Sequence, residues 1–395
     1  MNLQLAVGPA RAHGYHDVVT VYHAVSLFDE VTVSPAERDR VVITGEGADG
    51  LPADGTNLAA RAVAALLRAV GPGARDSPGL AIRISKRIPV AAGLAGGSAD
   101  AAAALVACNE LWRTGLSQAE LCELAAGIGS DVAFGLVGGT AIGVGRGERV
   151  TPALAAGTYH WVLAFATGGL STAQVYAACD RIRAARGGAA GSEVTARGAA
   201  GSGVTARGAG GPAVTAHGAA GSEVTAHGAA GSEVTAHGAA GSAAAARGAE
   251  GRASRGEAAA GGRAAPVRQA GRAARGGRAG PAVPPSPLAL DNRLMAALRS
   301  GNPAEVGPLL TNDLQQAAIS LRPELRRTLA AGIEHGALAA IVSGSGPTCA
   351  YLARDARHAA ALAVALAGAG VCRTVVHVVG PVPGAGVTSI GTEPV

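Results

Sequence analysis

The stretch PVAAGLAGGSADAAAA, Pro89 to Ala104, decides how the chain is read. An alternating apolar run, Leu80 to Ile84 (LAIRI), precedes it and predicts a strand. Gly93, Gly96 and Gly97 then fall within five residues. After them Ser98-Ala-Asp100 opens an alanine-rich run that predicts a helix to about Arg113. The order is strand, glycine loop, helix start. A helix start presents N–H groups without intrahelical partners and a partial positive charge, so it attracts anions. Glycines let the main chain approach a phosphate with no Cβ in the way and reach positive φ. Ser98 is the expected N-cap and a candidate ligand for a metal ion or a phosphate oxygen. On the glycines alone, a plain turn between strand and helix reads equally well. A Walker loop is excluded because no lysine follows these glycines, and GLAGGSAD lacks the GxGxxG spacing of a Rossmann loop.

Outward from the loop, 395 residues allow two domains. Aromatics make up only 3%, so the core must come from Ala, Val, Leu and Ile. No apolar run approaches the ~20 residues that span a membrane, and MNLQLAVGPAR lacks the pattern of a secretory signal. Cys108, Cys122, Cys179, Cys349 and Cys372 are scattered, odd in number and free of CxxC spacing. That pattern predicts reduced thiols in a cytoplasm, not a disulfide frame or a zinc site. The net charge of +5 looks like a hint of nucleic acid. Residues 187–287 hold ten arginines and five glutamates, however, so the excess sits there and the remainder sums to zero.

In chain order, residues 2–7 (NLQLAV) read as a strand broken by Gly8-Pro9, and His13-Gly-Tyr-His16 as a polar, aromatic turn. Val18 to Val33 holds two further apolar stretches. Asn57 to Ala69 has helical spacing with Asn57 as its cap. Ser117-Gln-Ala-Glu120 is a capping-box signature for a helix ending near Gly127-Ile-Gly129. Ser130-Asp131-Val132 follows, then Gly138-Gly-Thr140 with a strand-like AIGVG. Trp161 to Ala166 predicts a buried strand, Gly168-Gly-Leu-Ser-Thr172 a second glycine turn, and Thr172 to Arg183 a helix. From Ala189 a unit like AAGSEVTAHG recurs six times at a period of ten, to Gly248. Residues 187–287 contain no Leu, Ile, Phe, Tyr, Trp, Met or Cys. Such a segment cannot bury enough apolar area to offset an ordering entropy of ~1–2 kcal/mol per residue, so it reads as a disordered, low-complexity insertion. Beyond it, helical patterns cover 288–299, 303–320 and 323–335. An apolar Ala340 to Val342, Ser343-Gly-Ser-Gly-Pro347-Thr348, a strand-like CAYLA, a helix at 355–369 and a strand from Val375 to Val379 complete a small α/β sandwich.

The string PVAAGLAGGSADAAAAL resembles the phosphate-binding loop of the GHMP kinases. Three further segments match in order: NLQLAV…HGYHD, GSDVAF…GGTAIGVGRGE and VSGSGPTCA. Together they resemble the cytidylyl-sugar kinase branch of the non-mevalonate isoprenoid route, which the Gly-Tyr-His turn distinguishes from its relatives. The resemblance implies a two-domain α+β GHMP-kinase fold. Its N-terminal, ATP-binding domain covers 1–155, its C-terminal domain covers 156–186 and 288–385, and the insertion interrupts it. It implies ATP and Mg²⁺ as cofactors, phosphorylation of an alcohol on a cytidylyl-sugar substrate, no nucleic-acid or membrane partner, and a monomer or homodimer.

The residue roles carried by the resemblance are as follows. Asp131 is the base that accepts the hydroxyl proton, although an Asp after Gly-Ser reads equally as an N-cap. Pro89, Val90, Ala91, Ala92, Gly93, Leu94, Ala95, Gly96, Gly97, Ser98 and Ala99 bind ATP. Tyr15 and His16 hold the cytosine ring, Asn2 stands beside the sugar phosphate, and Thr172 approaches from the second domain. Gly344-Ser-Gly346 supports the loop or touches the ligand. The family carries a lysine directly before Asn2, and here Met1 stands there. Lys86, the only lysine in the chain, matches a different family position. The expectation is that the natural chain begins several residues upstream. A homoserine- or mevalonate-type kinase, or a nucleotide-binding relative without turnover, remain the alternatives.

Overall fold

The structure is a computed structural model that describes residues 1–11, 14–197, 220–227, 233–238 and 288–388, with side chains outside 186–238 and Thr388. Strand β1 (Asn2–Ala10) pairs antiparallel with β2 (His16–His23). β1 does not stop at Gly8-Pro9. A register shift between Val7 and Ala10 lets it pass the proline, as a bulge accommodates a residue with no N–H to give. β3 (Val25–Ala36) buries every second side chain, and β4 (Arg40–Gly45) lies parallel to β5 (Gly79–Lys86). Between them α1 (Leu58–Val70) is capped by Asn57, whose Oδ1 accepts from the Ala59 N–H at 2.9 Å. Its buried stripe is Ala59, Ala62, Val63 and Leu66, the spacing of one helix face.

Helix α2 (Gly96–Leu111) is buried on nearly all sides, and its run of alanines is what permits this. α1, β3, α3 (Gln118–Ala126) and α4 (Val132–Val137) all reach it, and small side chains let their backbones come close. The capping box at Ser117 and Glu120 is present. β6 (Thr140–Gly145) and β7 (Arg149–Ala153) extend the sheet of β1 and β2 in the order β1-β2-β6-β7. β8 (Tyr159–Phe165) is buried on both faces: Trp161 and Leu163 pack with Met1, Leu3 and Val25, while Val162 and Ala164 pack with α5 (Thr172–Arg197).

Within the insertion the described residues are the end of α5, β9 (Ala220–His227) and β10 (Glu233–Gly238). Both strands carry the Glu-Val-Thr-Ala-His core of the repeat and pair with β3. The remainder of that expectation lies outside the described residues. Downstream, α6 (Asn292–Ser300) and α7 (Pro303–Val306) are capped by Asp291 and Asn302. The single helix expected over 303–320 is instead α7, a 3-10 turn, the two-residue strand β11 (Thr311–Asn312) and α8 (Gln315–Leu321). Gly307-Pro308 breaks the helix because proline cannot donate within it. β11 then pairs parallel with β1, tying the strand after the insertion to the first strand of the chain. α9 (Glu324–Glu334), β12 (Ala339–Val342), β13 (Cys349–Ala353), α10 (Ala356–Gly368) and β14 (Thr374–Gly380) build the sheet β12-β13-β8-β14 with helices against it. β15 (Ala385–Thr388) joins the sheet of β3. All five cysteines are free. Among the described residues no helix is long and apolar enough to cross a membrane.

Candidate active site

The glycine loop takes an unusual backbone path. Ala91, Gly93 and Ala95 all have positive φ, at 52°, 75° and 55°. Two alanines in the left-handed region carry strain that the surroundings must hold in place. Hydrogen bonds do so from two directions. The Leu170 N–H donates to the Ala91 carbonyl at 3.2 Å, and the Thr348 N–H to that of Ala92 at 3.3 Å. Ser343 Oγ donates to the Gly93 carbonyl at 3.0 Å. A Cβ on Gly93 would stand 2.2 Å from the Ser343 carbonyl oxygen, so only glycine fits against that turn.

α2 begins one turn earlier than expected. Ala95, in the left-handed conformation, occupies the N-cap and supplies no side-chain cap. Ser98 is therefore not the cap; its own N–H donates to the Ala95 carbonyl at 2.9 Å. Leu94 and Ala99 are buried in the apolar core, so their side chains face away from the loop's open side. That open side bounds a cavity of about 350 Å³ walled by Pro89 to Gly93, Ala95, Gly96 and Gly97, with Asn57, Lys86, Asp100, Asp131, Thr172 and Ser345. Ser98 is not one of its walls.

Asp131 is buried and sits at the N-cap of α4 without making a side-chain cap bond. Its Oδ1 instead accepts from Tyr22 Oη at 3.1 Å. Tyr22 is fully buried and stacked on Phe134 at 4.5 Å. Burial, and then the Asp131 charge, hold its phenol well above the ordinary tyrosine range, so it remains a donor. Lys86 lies beneath the loop, bonded to Asp29 and, at 2.7 Å, to Asp100. Burial alone would push the ammonium down, but the two carboxylates outweigh it and hold it above its usual range. Its charge is thus committed. Met1 is fully buried, and its nitrogen lies close enough to Asp131 to feel that charge.

A second cavity, of about 530 Å³, opens beside the first. Tyr15 and His16 form one wall; Thr172, Tyr176 and Asp180 of α5 form another; Ser130 and Arg146 complete it. Thr172 belongs to both cavities, and Ser130 precedes Asp131 in the chain, so the two spaces meet at these residues. Thr172 Oγ1 also lies 3.0 Å from Ser345 Oγ, which binds the third glycine motif to the second. Asn2 is elsewhere. It is fully buried, donates to Thr20 Oγ1 at 3.0 Å, and lines neither cavity.

Comparison with known proteins bears on this arrangement. The family model described as GHMP kinases N terminal domain matches residues 57–141, and that described as GHMP kinases C terminal matches 294–372. A 4-diphosphocytidyl-2-C-methyl-D-erythritol kinase of Nocardia farcinica is 43% identical over 98% of this chain and 92% of its own. The enzyme of the same name from Mycobacterium tuberculosis is 41% identical over 100% and 92%. The chain belongs to the 4-diphosphocytidyl-2-C-methyl-D-erythritol kinase family. A crystal structure of a 4-(cytidine 5'-diphospho)-2C-methyl-D-erythritol kinase superposes with a TM-score of 0.57 at 24% identity, covering 97% of this chain and 96% of the other. That likeness establishes the shared fold.

For this member of the family, the sequence reading missed Tyr22, Tyr176, Asp180 and Arg146. Tyr22 sits in a run read only as an apolar strand. Tyr176 and Asp180 follow Thr172 at four-residue intervals. That spacing was visible, and it places all three on one helix face.

Proposed function

We propose that this kinase transfers the γ-phosphoryl group of ATP to the 2-hydroxyl of 4-diphosphocytidyl-2-C-methyl-D-erythritol, with Asp131 as general base. One observation carries the reading. The glycine loop and Asp131 wall one cavity, and that cavity joins, at Thr172, a second one lined by Tyr15 and His16. The uncapped start of α2, with Gly96 and Gly97 as its first residues, suits the phosphates of ATP. At Gly97 an added Cβ would meet only Leu58, at 3.4 Å, so the main chain there is open to a ligand.

The walls also offer carboxylates at Asp131 and Asp100, the oxygen donors that Mg²⁺ takes beside nucleotide phosphates. When bound, the ion supplies charge neutralisation on the phosphates. Asp131 accepts the hydroxyl proton as the substrate oxygen bonds to phosphorus and the bond to ADP breaks, leaving its electrons on ADP. Tyr22 steadies Asp131 through a hydrogen bond to Oδ1. Tyr15 and Tyr176 provide faces for a planar base, and His16 provides a polar edge.

The division into 1–155 and 156–186 with 288–385 belongs to the same proposal. So does a cytoplasmic setting, which the five free cysteines favour. A coupled ATPase assay with the cytidylyl substrate, homoserine and mevalonate tests the reading. Turnover of the cytidylyl substrate alone is expected. Equal or better turnover of either smaller alcohol overturns it, because neither has a base to fill the second cavity.

A further inference from the structure

His16 is buried, yet it lines the second cavity. Its Nε2 lies 3.0 and 3.1 Å from the two carboxylate oxygens of Asp180, so one ring nitrogen sits in the fork of one carboxylate. Its ring is also packed on Tyr176, with centroids 4.8 Å apart. An ionised carboxylate only accepts hydrogen bonds, so the proton of a neutral imidazole must lie on Nε2. The polar ring atom left for a ligand in this cavity is then Nδ1, and it is an acceptor. Asp180 lies on α5, the helix that also contributes Thr172 and Tyr176 to this cavity.

We infer that Asp180 is a positioning residue that sets base selectivity by fixing the tautomer of His16. The inference rests on the reading that the pyrimidine of the substrate occupies this cavity. With Nδ1 as acceptor, the wall welcomes the exocyclic amine of cytosine. The carbonyl that uracil carries at the same place meets a lone pair instead. A buried polar mismatch of this kind discriminates more strongly than lost contact area does. Asp180→Ala frees the ring to present either nitrogen, and Asp180→Asn can donate an amide N–H to Nε2 and move the proton to Nδ1. Both changes erase the preference while leaving the glycine loop and Asp131 untouched.

The test measures kcat/KM for the cytidylyl substrate and for its uridylyl analogue in the parent enzyme, Asp180→Ala and Asp180→Asn. Calorimetric binding of cytidine 5'-diphosphate and uridine 5'-diphosphate is measured alongside. All three proteins are assayed at one pH. The parent is expected to prefer the cytidylyl compound, and both variants to lose at least ~10-fold of that preference. Each ratio is internal to one protein, so a partly unfolded sample does not alter it. If the parent discriminates and both variants keep its ratio, Asp180 does not set selectivity, and the base assignment survives. If the parent treats the two compounds alike, the base is not read in this cavity, and the proposal falls together with that assignment.

Discussion

The two cavities share Thr172 but are made of different material. The first is built from main chain: glycines, two alanines with positive φ and the uncapped start of α2. The second is built from side chains, brought together from the turn before β2, the β6–β7 connection and α5. A main-chain site recognises charge and geometry common to many triphosphates, whereas a side-chain site recognises one molecule's edges. Asp131 stands where the two meet, so its loss should be the most damaging change. Asp131→Asn keeps size and an acceptor for Tyr22 while removing the base. We expect kcat to fall by ~10³-fold, within the range for a general base, with KM for ATP little changed. Turnover within tenfold of the parent would remove Asp131 from the chemistry.

The next contrast separates the cavities themselves. Gly93→Ala places a Cβ 2.2 Å from the Ser343 carbonyl oxygen and 2.8 Å from the Gly346 nitrogen, at a φ of 75°. Both neighbours are main chain and cannot swing aside. The loop must shift, and KM for ATP should rise by at least ~10-fold, with a destabilisation of ~1–3 kcal/mol visible in thermal melting. Tyr176→Ala should do the reverse. It should raise KM for the cytidylyl substrate by ~3–10-fold, the worth of one aromatic pair, and leave KM for ATP unchanged. If either substitution shifts both constants equally, the two spaces act as one site.

The same difference explains what the sequence could disclose. A main-chain site must be encoded locally, because glycine spacing and helix start are written in consecutive residues. Pro89 to Ala104 therefore announced the first cavity. Even there the exact cap was hidden, since nothing in the identity of Ala95 signals its left-handed conformation. A side-chain site is assembled by folding. Tyr15 and His16 were recognised by resemblance, but the partners of His16, Tyr176 and Asp180, lie about 160 residues on, marked in the sequence only by their four-residue spacing from Thr172. Tyr22 was equally silent because an alternating strand buries a tyrosine as readily as a leucine. The break in the 303–320 helix was the opposite case: Gly307-Pro308 was legible as a stop, and the four-residue length of α7 follows from it.

The smallest effect should come from the largest change. Among the described residues, neither cavity takes a wall from the segment between α5 and α6. The last side chain of α5 that lines the second cavity is Asp180, and Arg183, one position short of a full turn further, is fixed to Gly8 and Asp313. Replacing 198–287 with a short glycine-serine linker thus leaves every described wall in place. Loop closure changes by only ~0.6 kcal/mol per doubling of length, so shortening the connection costs nothing comparable to a lost contact. The pairing of β9 and β10 with β3 is removed, and that registers in the melting temperature, since β3 contributes Val31 and Val33 to the core under α2. We expect kcat/KM for both ATP and the cytidylyl substrate to stay within ~3-fold of the parent. A drop confined to one substrate would mean that the insertion reaches one cavity, and the division between main-chain and side-chain sites would need a third contributor.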